Sequence, residues 1–109
     1  MATSLIRNNF RAPEPLLISE VQIIPVKPQR GLVAFASCVI NNSLYVGNIA
    51  IHTSLKDPGG YRLVYPDKVL PNGKLINCVY PINQEAGEAI RVAIIGKYME
   101  IVGLTGGET

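Results

Sequence analysis

The chain is short of the residues that most often carry chemistry: one histidine, two cysteines and 17% charged residues in 109 positions. His52 follows the alternating run "YVGNIAI" and precedes a loop, and as a base or metal ligand it would need partners that the sequence does not supply. A structural or surface role is expected of it. Asp57 and Asp67 are the only aspartates, and the glutamates gather mostly at a predicted helix start or in the tails, so no catalytic pair stands out. The expectation is a protein that is not an enzyme, with no catalytic residue, no metal and no cofactor. Cys38 and Cys78 lie in strand-like apolar runs without C-x-x-C spacing, which predicts buried free thiols rather than a metal or redox site. "DPGGY" and "GLTGGET" are glycine-rich but lack the spacing of a phosphate-binding loop, and read as a turn and a tail. No apolar run approaches the roughly 20 residues that span a bilayer, and the first residues lack a signal-peptide pattern. A cytoplasmic protein with no membrane partner is expected.

What is present is apolar. Hydrophobic residues make up 48% of the chain, enough to build a core, and the length suits one domain. The net charge of +2 is far from the strongly basic footprint of a dedicated electrostatic binder, so any polyanion site must be a local patch.

Residues 1–17, "MATSLIRNNFRAPEPLL", show no sustained period and are read as an arm, and 104–109 as a tail, around one domain over 18–103. The arm carries Arg7, Arg11 and Phe10, suited either to a phosphate or apolar partner or to no role at all. "SEVQIIPV" and "LVAFASCVI" read as strands, with Pro25 placing the first at a sheet edge. Asn41-Asn42 predicts a hairpin into "SLYVGNIAIHT", because asparagine tolerates the positive φ of such turns. "YRLVYP" and "KLINCVYP" complete about five strands, joined by turns too tight for parallel crossovers. Asn83 can cap a helix that runs from about Gln84 to about Val102, ended by Gly103. The fold class is therefore α+β, an antiparallel sheet with a C-terminal helix.

That helix is apolar on more than one side. Ala86, Ile90, Ala93, Ile94, Tyr98 and Ile101 form one face, and Val92, Ile95, Met99 and Val102 leave much of the remainder apolar. One sheet cannot cover both, so the second set is expected to form a homodimer interface. Lys56, Arg62, Lys68 and Lys74 fall in or beside the loops around the fourth strand, where they could form one positive rim with Tyr61 and Tyr65 for base stacking. Scattered solubilising charge explains the same residues equally well.

Residues 18–102 resemble the SpoVG family, the stage V sporulation protein G or septation-regulator proteins. The resemblance rests on "ISEVQIIPV", "GLVAFASCVINNSLYVGNIAI", "YPDKVLPNGK", "VYPIN" and "IIGKYMEIV", in that order. It implies a small dimeric α+β subunit that binds DNA or RNA and regulates gene expression, sporulation and septation. Family loops of the type Pro-Ser-Lys-Arg-Thr-Pro-Asp-Gly match Pro66 to Gly73, so Lys68 retains a basic site and Val69 replaces another. The family helix often begins with Arg and Lys, whereas Ala86, Gly87, Glu88 and Ala89 precede Arg91 here. The nucleic-acid contacts expected are Lys56, Arg62, Lys68 and Lys74, with Arg91 and Lys97 on the helix and Arg7 and Arg11 in the arm as auxiliaries. The alternative is a protein-interaction module of the same fold.

Overall fold

The computed structural model describes residues 16–106. The expectations for the arm before Leu16 and for the last three residues of the tail, 107–109, lie outside the described residues; 104–106 of the expected tail belong to the final helix.

Four strands form one antiparallel sheet in chain order: β1 (Ile18–Gln29), β2 (Leu32–Ile40), β3 (Leu44–Thr53) and β4 (Tyr61–Val64). β1 is an edge strand, so Pro25 costs no ladder bond to a further neighbour, as its sequence predicts. The β2–β3 turn takes the predicted form, with Asn41 at φ 53° and Asn42 at φ 56°, and the Ser43 N–H donates to the Ile40 carbonyl. The β1–β2 turn uses Arg30 and Gly31, and a side chain at Gly31 would suffer both its φ of 90° and a 3.3 Å approach to Thr53.

The expected fifth strand of this sheet does not form there. β5 (Asp67–Val69) and β6 (Leu75–Asn77) pair instead as a separate two-stranded ribbon. Asp67–Val69 has no alternating apolar pattern, and its pairing depends on the Pro71-Asn72-Gly73 turn rather than on a buried face. Leu75 and Ile76, expected to pack in the sheet, are therefore exposed. Cys78 is exposed as well, which corrects the expectation of two buried thiols; Cys38 is fully buried.

Helix α1 (Gln84–Gly106) begins at the predicted cap, with the Ala86 N–H donating to Asn83 Oδ1 at 2.7 Å. It runs past Gly103, which does not adopt the left-handed conformation through which a glycine ends a helix. Ile90, Ile94 and Tyr98 recur every fourth residue and meet Ala34, Ala36 and Cys38 of β2 and Val46, Ile49 and Ile51 of β3 in one core. The small side chains along β2 leave room in that core for the larger side chains of the helix and of β3. Tyr98 also packs edge-on against Tyr61 of β4, with ring centroids 5.1 Å apart, and so ties the helix to the far edge of the sheet.

Replacing the cap should be felt throughout the fold, because the helix supplies one whole layer. Asn83→Ala is expected to cost about 1 kcal/mol, read as a lower urea midpoint with an unchanged slope.

Candidate nucleic-acid interface

The cations singled out in the sequence fall on β4, on the loop before it and on the ribbon after it. Lys56 lies in the exposed loop that leads to the 3₁₀ turn Pro58–Gly60 and into β4, Arg62 is exposed on β4, and Lys68 and Lys74 follow on the ribbon. The loop is shaped by Asp57, whose carboxylate accepts the Ser54 hydroxyl at 2.6 Å. Arg62 stands opposite His52 of β3.

The ribbon places its two lysines together. Lys68 pairs with Ile76 and Val69 with Leu75, and the Leu70 N–H donates to the Lys74 carbonyl at 2.7 Å, which extends the ladder by one pair. Directly opposed residues of an antiparallel pair share a face, and faces alternate along each strand. Lys68, Leu70, Lys74 and Ile76 therefore lie on one face, and Asp67, Val69, Leu75 and Asn77 on the other. The two lysines are diagonal neighbours, a relation that spans roughly 7–8 Å between backbones. The turn that sets this register is held by Asn72 Oδ1, which accepts the Lys74 N–H at 3.0 Å, and by Gly73 at φ 88°.

Lys56, Arg62, Lys68 and Lys74 have no carboxylate within 4.0 Å among the described residues; the ion pairs there involve the helix instead. Arg91 donates to Glu88 at 2.9 Å, and Lys97 lies 3.6 Å from Glu100. The hydrogen bond that Arg91 donates to Glu88, with the charges of Glu88 and Asp57 adding to it, holds the Arg91 guanidinium above its usual pKa; the same bond lowers that of Glu88. The two helix cations are thus engaged in the fold's own electrostatics, unlike Lys56, Arg62, Lys68 and Lys74.

The stacking role expected of Tyr61 and Tyr65 is corrected by their positions. Tyr61 is half-buried against Tyr98, and Tyr65 packs on the core. Burial, with a smaller contribution from nearby Cys38, pushes the Tyr65 phenol up to about 12. Both rings belong to the alternating inward pattern of the β4 segment, a signal already present in "YRLVYP". Tyr80, just beyond the ribbon, and Tyr45 are the exposed tyrosines.

Of the expected dimer residues, Ile95 is 7% exposed and Val102 packs against the core, whereas Val92 and Met99 are 57% and 49% exposed. Gly96 lies between those two on the helix surface with nothing within 4 Å of where its Cβ would stand.

No group of three or more metal-ligating side chains occurs among the described residues. No helix among them is long and apolar enough to cross a membrane.

A four-stranded antiparallel sheet backed by one C-terminal helix, with a separate two-stranded ribbon that carries Lys68 and Lys74, makes a small α+β domain. The SpoVG family model matches residues 16–100, and the chain belongs to that family. Relatives named for septation and for SpoVG include one from Caldicellulosiruptor bescii, 25% identical over 85 residues that cover 78% of this chain and 93% of the relative. One from Clostridium kluyveri is 24% identical over 84 residues, covering 77% and 84%.

The buried phenol makes stability sensitive to alkali. A native-state pKa raised from about 10 to about 12 means that Tyr65 contributes its full stability below pH 10 and loses it as pH climbs toward 12. Cys38, its thiol also raised by burial, acts in the same direction from lower pH. Tyr65→Phe is expected to flatten the fall of the urea midpoint above about pH 10 without removing the part due to Cys38.

Proposed function

We propose that this SpoVG-family chain is a dimeric nucleic-acid-binding regulator acting in septation or sporulation, with the β5–β6 ribbon as its principal contact to DNA or RNA. The observation that carries the reading is the pair Lys68 and Lys74 on one face of a solvent-exposed ribbon, with no carboxylate within 4.0 Å among the described residues. A two-stranded ribbon is narrow enough for the major groove of duplex DNA, and lysine ammoniums gain affinity by releasing condensed counterions. Arg62 and Lys56 extend the contact along the β4 edge. Arg91 and Lys97 contribute less, because each already has a carboxylate neighbour.

The dimer reading is supported by Val92 and Met99, two helical turns apart and both about half exposed, with Gly96 between them. A glycine in a helix interior costs about 1 kcal/mol relative to alanine, and close approach of a second helix backbone would offset that cost. Val92→Asp with Met99→Asp is expected to give single chains by light scattering while retaining the native circular dichroism. A dimer that persists in this variant removes the helix face from the interface.

Lys68→Glu with Lys74→Glu should fold and self-associate as the parent does and lose binding to a mixed-sequence oligonucleotide. The log–log salt slope of the residual binding is expected to fall by roughly 2, at about 0.9 per phosphate contact on duplex DNA. Equal affinity of parent and variant would take the ribbon out of the reading.

The alternative, a protein-interaction module, is favoured by exposed apolar side chains on and after the same ribbon: Val69 and Leu75 at 62% each and Ile82 at 85%. A pulldown at moderate salt separates the readings, since protein partners that survive nuclease treatment support the module and co-purified RNA or DNA supports the regulator.

A further inference from the structure

A broad groove lies apart from the ribbon. It lies between the Leu16–Ile18 entry to β1 and the first turns of α1, is widely open to solvent with a volume of about 810 Å³, and combines an apolar floor at Ala89 and Val92 with an acidic rim at Glu85 and Glu88. We infer that this groove is the docking site of the chain's own residues 5–11, "LIRNNFR", which lie outside the described residues.

Three observations select that occupant. The chain preceding the described residues leaves from Leu16, which is itself part of the groove wall. The five steps from Arg11 to Leu16 reach up to about 17 Å, whereas the helix from Glu85 to Val92 rises only about 10 Å, so the segment can cover the groove without strain. The chemistry of the two sides is also complementary. Residues 1–12 hold Arg7 and Arg11 and no acid, with Leu5, Ile6 and Phe10 interleaved. Glu88 is already engaged by Arg91, and Glu85, which makes no ion pair among the described residues, is the rim charge open to an arginine. A tethered segment meets its site at an effective concentration in the millimolar range, so modest complementarity suffices. Docking would cover Val92 from the β1 side and leave Met99 untouched. The inference stands independently of nucleic-acid binding and of the ribbon.

The chain contains no tryptophan, so Phe10→Trp introduces a single indole reporter into the full-length protein. The expected result is emission at shorter wavelength, with weaker acrylamide quenching, than the same chain shows in urea. Glu85→Lys, a surface change that leaves the core intact, should shift the emission back toward the urea position. Ala89→Arg, which crowds the floor, should shift it further, with circular dichroism verifying the fold of each. The shift should survive mixing with an excess of Ala89→Arg chain that lacks the reporter. Emission matching the unfolded chain, or a shift that neither substitution moves, overturns the inference. A shift lost on mixing assigns the groove to a second copy's arm and overturns the intrachain docking.

Discussion

The packing of one helix on one sheet face governs the rest of the molecule. Ile90, Ile94 and Tyr98 are spaced so that a single stripe meets the small side chains of β2 and the isoleucines of β3, and no second helix shares the task. Beyond that stripe, with Ile95 and Val102 also covered, the helix surface is left to solvent, to a partner or to another part of the chain. Tyr98 extends the same stripe to Tyr61, so the strand at the far edge is fixed by the helix as well as by its ladder to β3. The position of Arg62 follows from that contact.

How the sheet and helix were encoded is plain in particular residues. Asn41-Asn42 specified a hairpin by tolerating positive φ, Pro25 specified an edge, and Asn83 specified the helix start, each through a local mechanism that needs no tertiary information. The errors arose where local pattern underdetermines the partner. "KLINCVYP" has strand composition, but whether it joins the main sheet or pairs with Asp67–Val69 depends on a three-residue segment too short to carry a period. Gly103 had the identity of a helix stop without the backbone conformation that makes one. The buried place of Ile95 was hidden for a related reason: the helix is apolar on several sides, and helical spacing alone does not decide which positions are covered.

The candidate site was legible as composition and not as geometry. Four cations around one strand could be read directly, but their relation to one another could not. It is the ribbon register, set by Asn72 and Gly73, that places Lys68 and Lys74 on one face. The tyrosines were misassigned because an aromatic beside a lysine reads the same whether it faces solvent or core. The ladder to β3 and the contact with Tyr98 decide the matter for Tyr61, and burial decides it for Tyr65.

Their burial also explains how so small a ribbon holds its position. Two strands of three residues, exposed on both faces, have little stability of their own. The ribbon is instead anchored at its base, where Tyr65 lies two residues before it and Val79 two residues after it, both packed on the core, and the Cys78 N–H donates to the Pro66 carbonyl at 3.1 Å. With both ends fixed, the apolar tip residues need no cover to hold the turn, and the lysines are presented on a defined face at low entropic cost. The loss of a stacking ring at Tyr65 is thus the condition for a positioned charge at Lys68: the side chain that could have met a base holds the backbone that carries the cation.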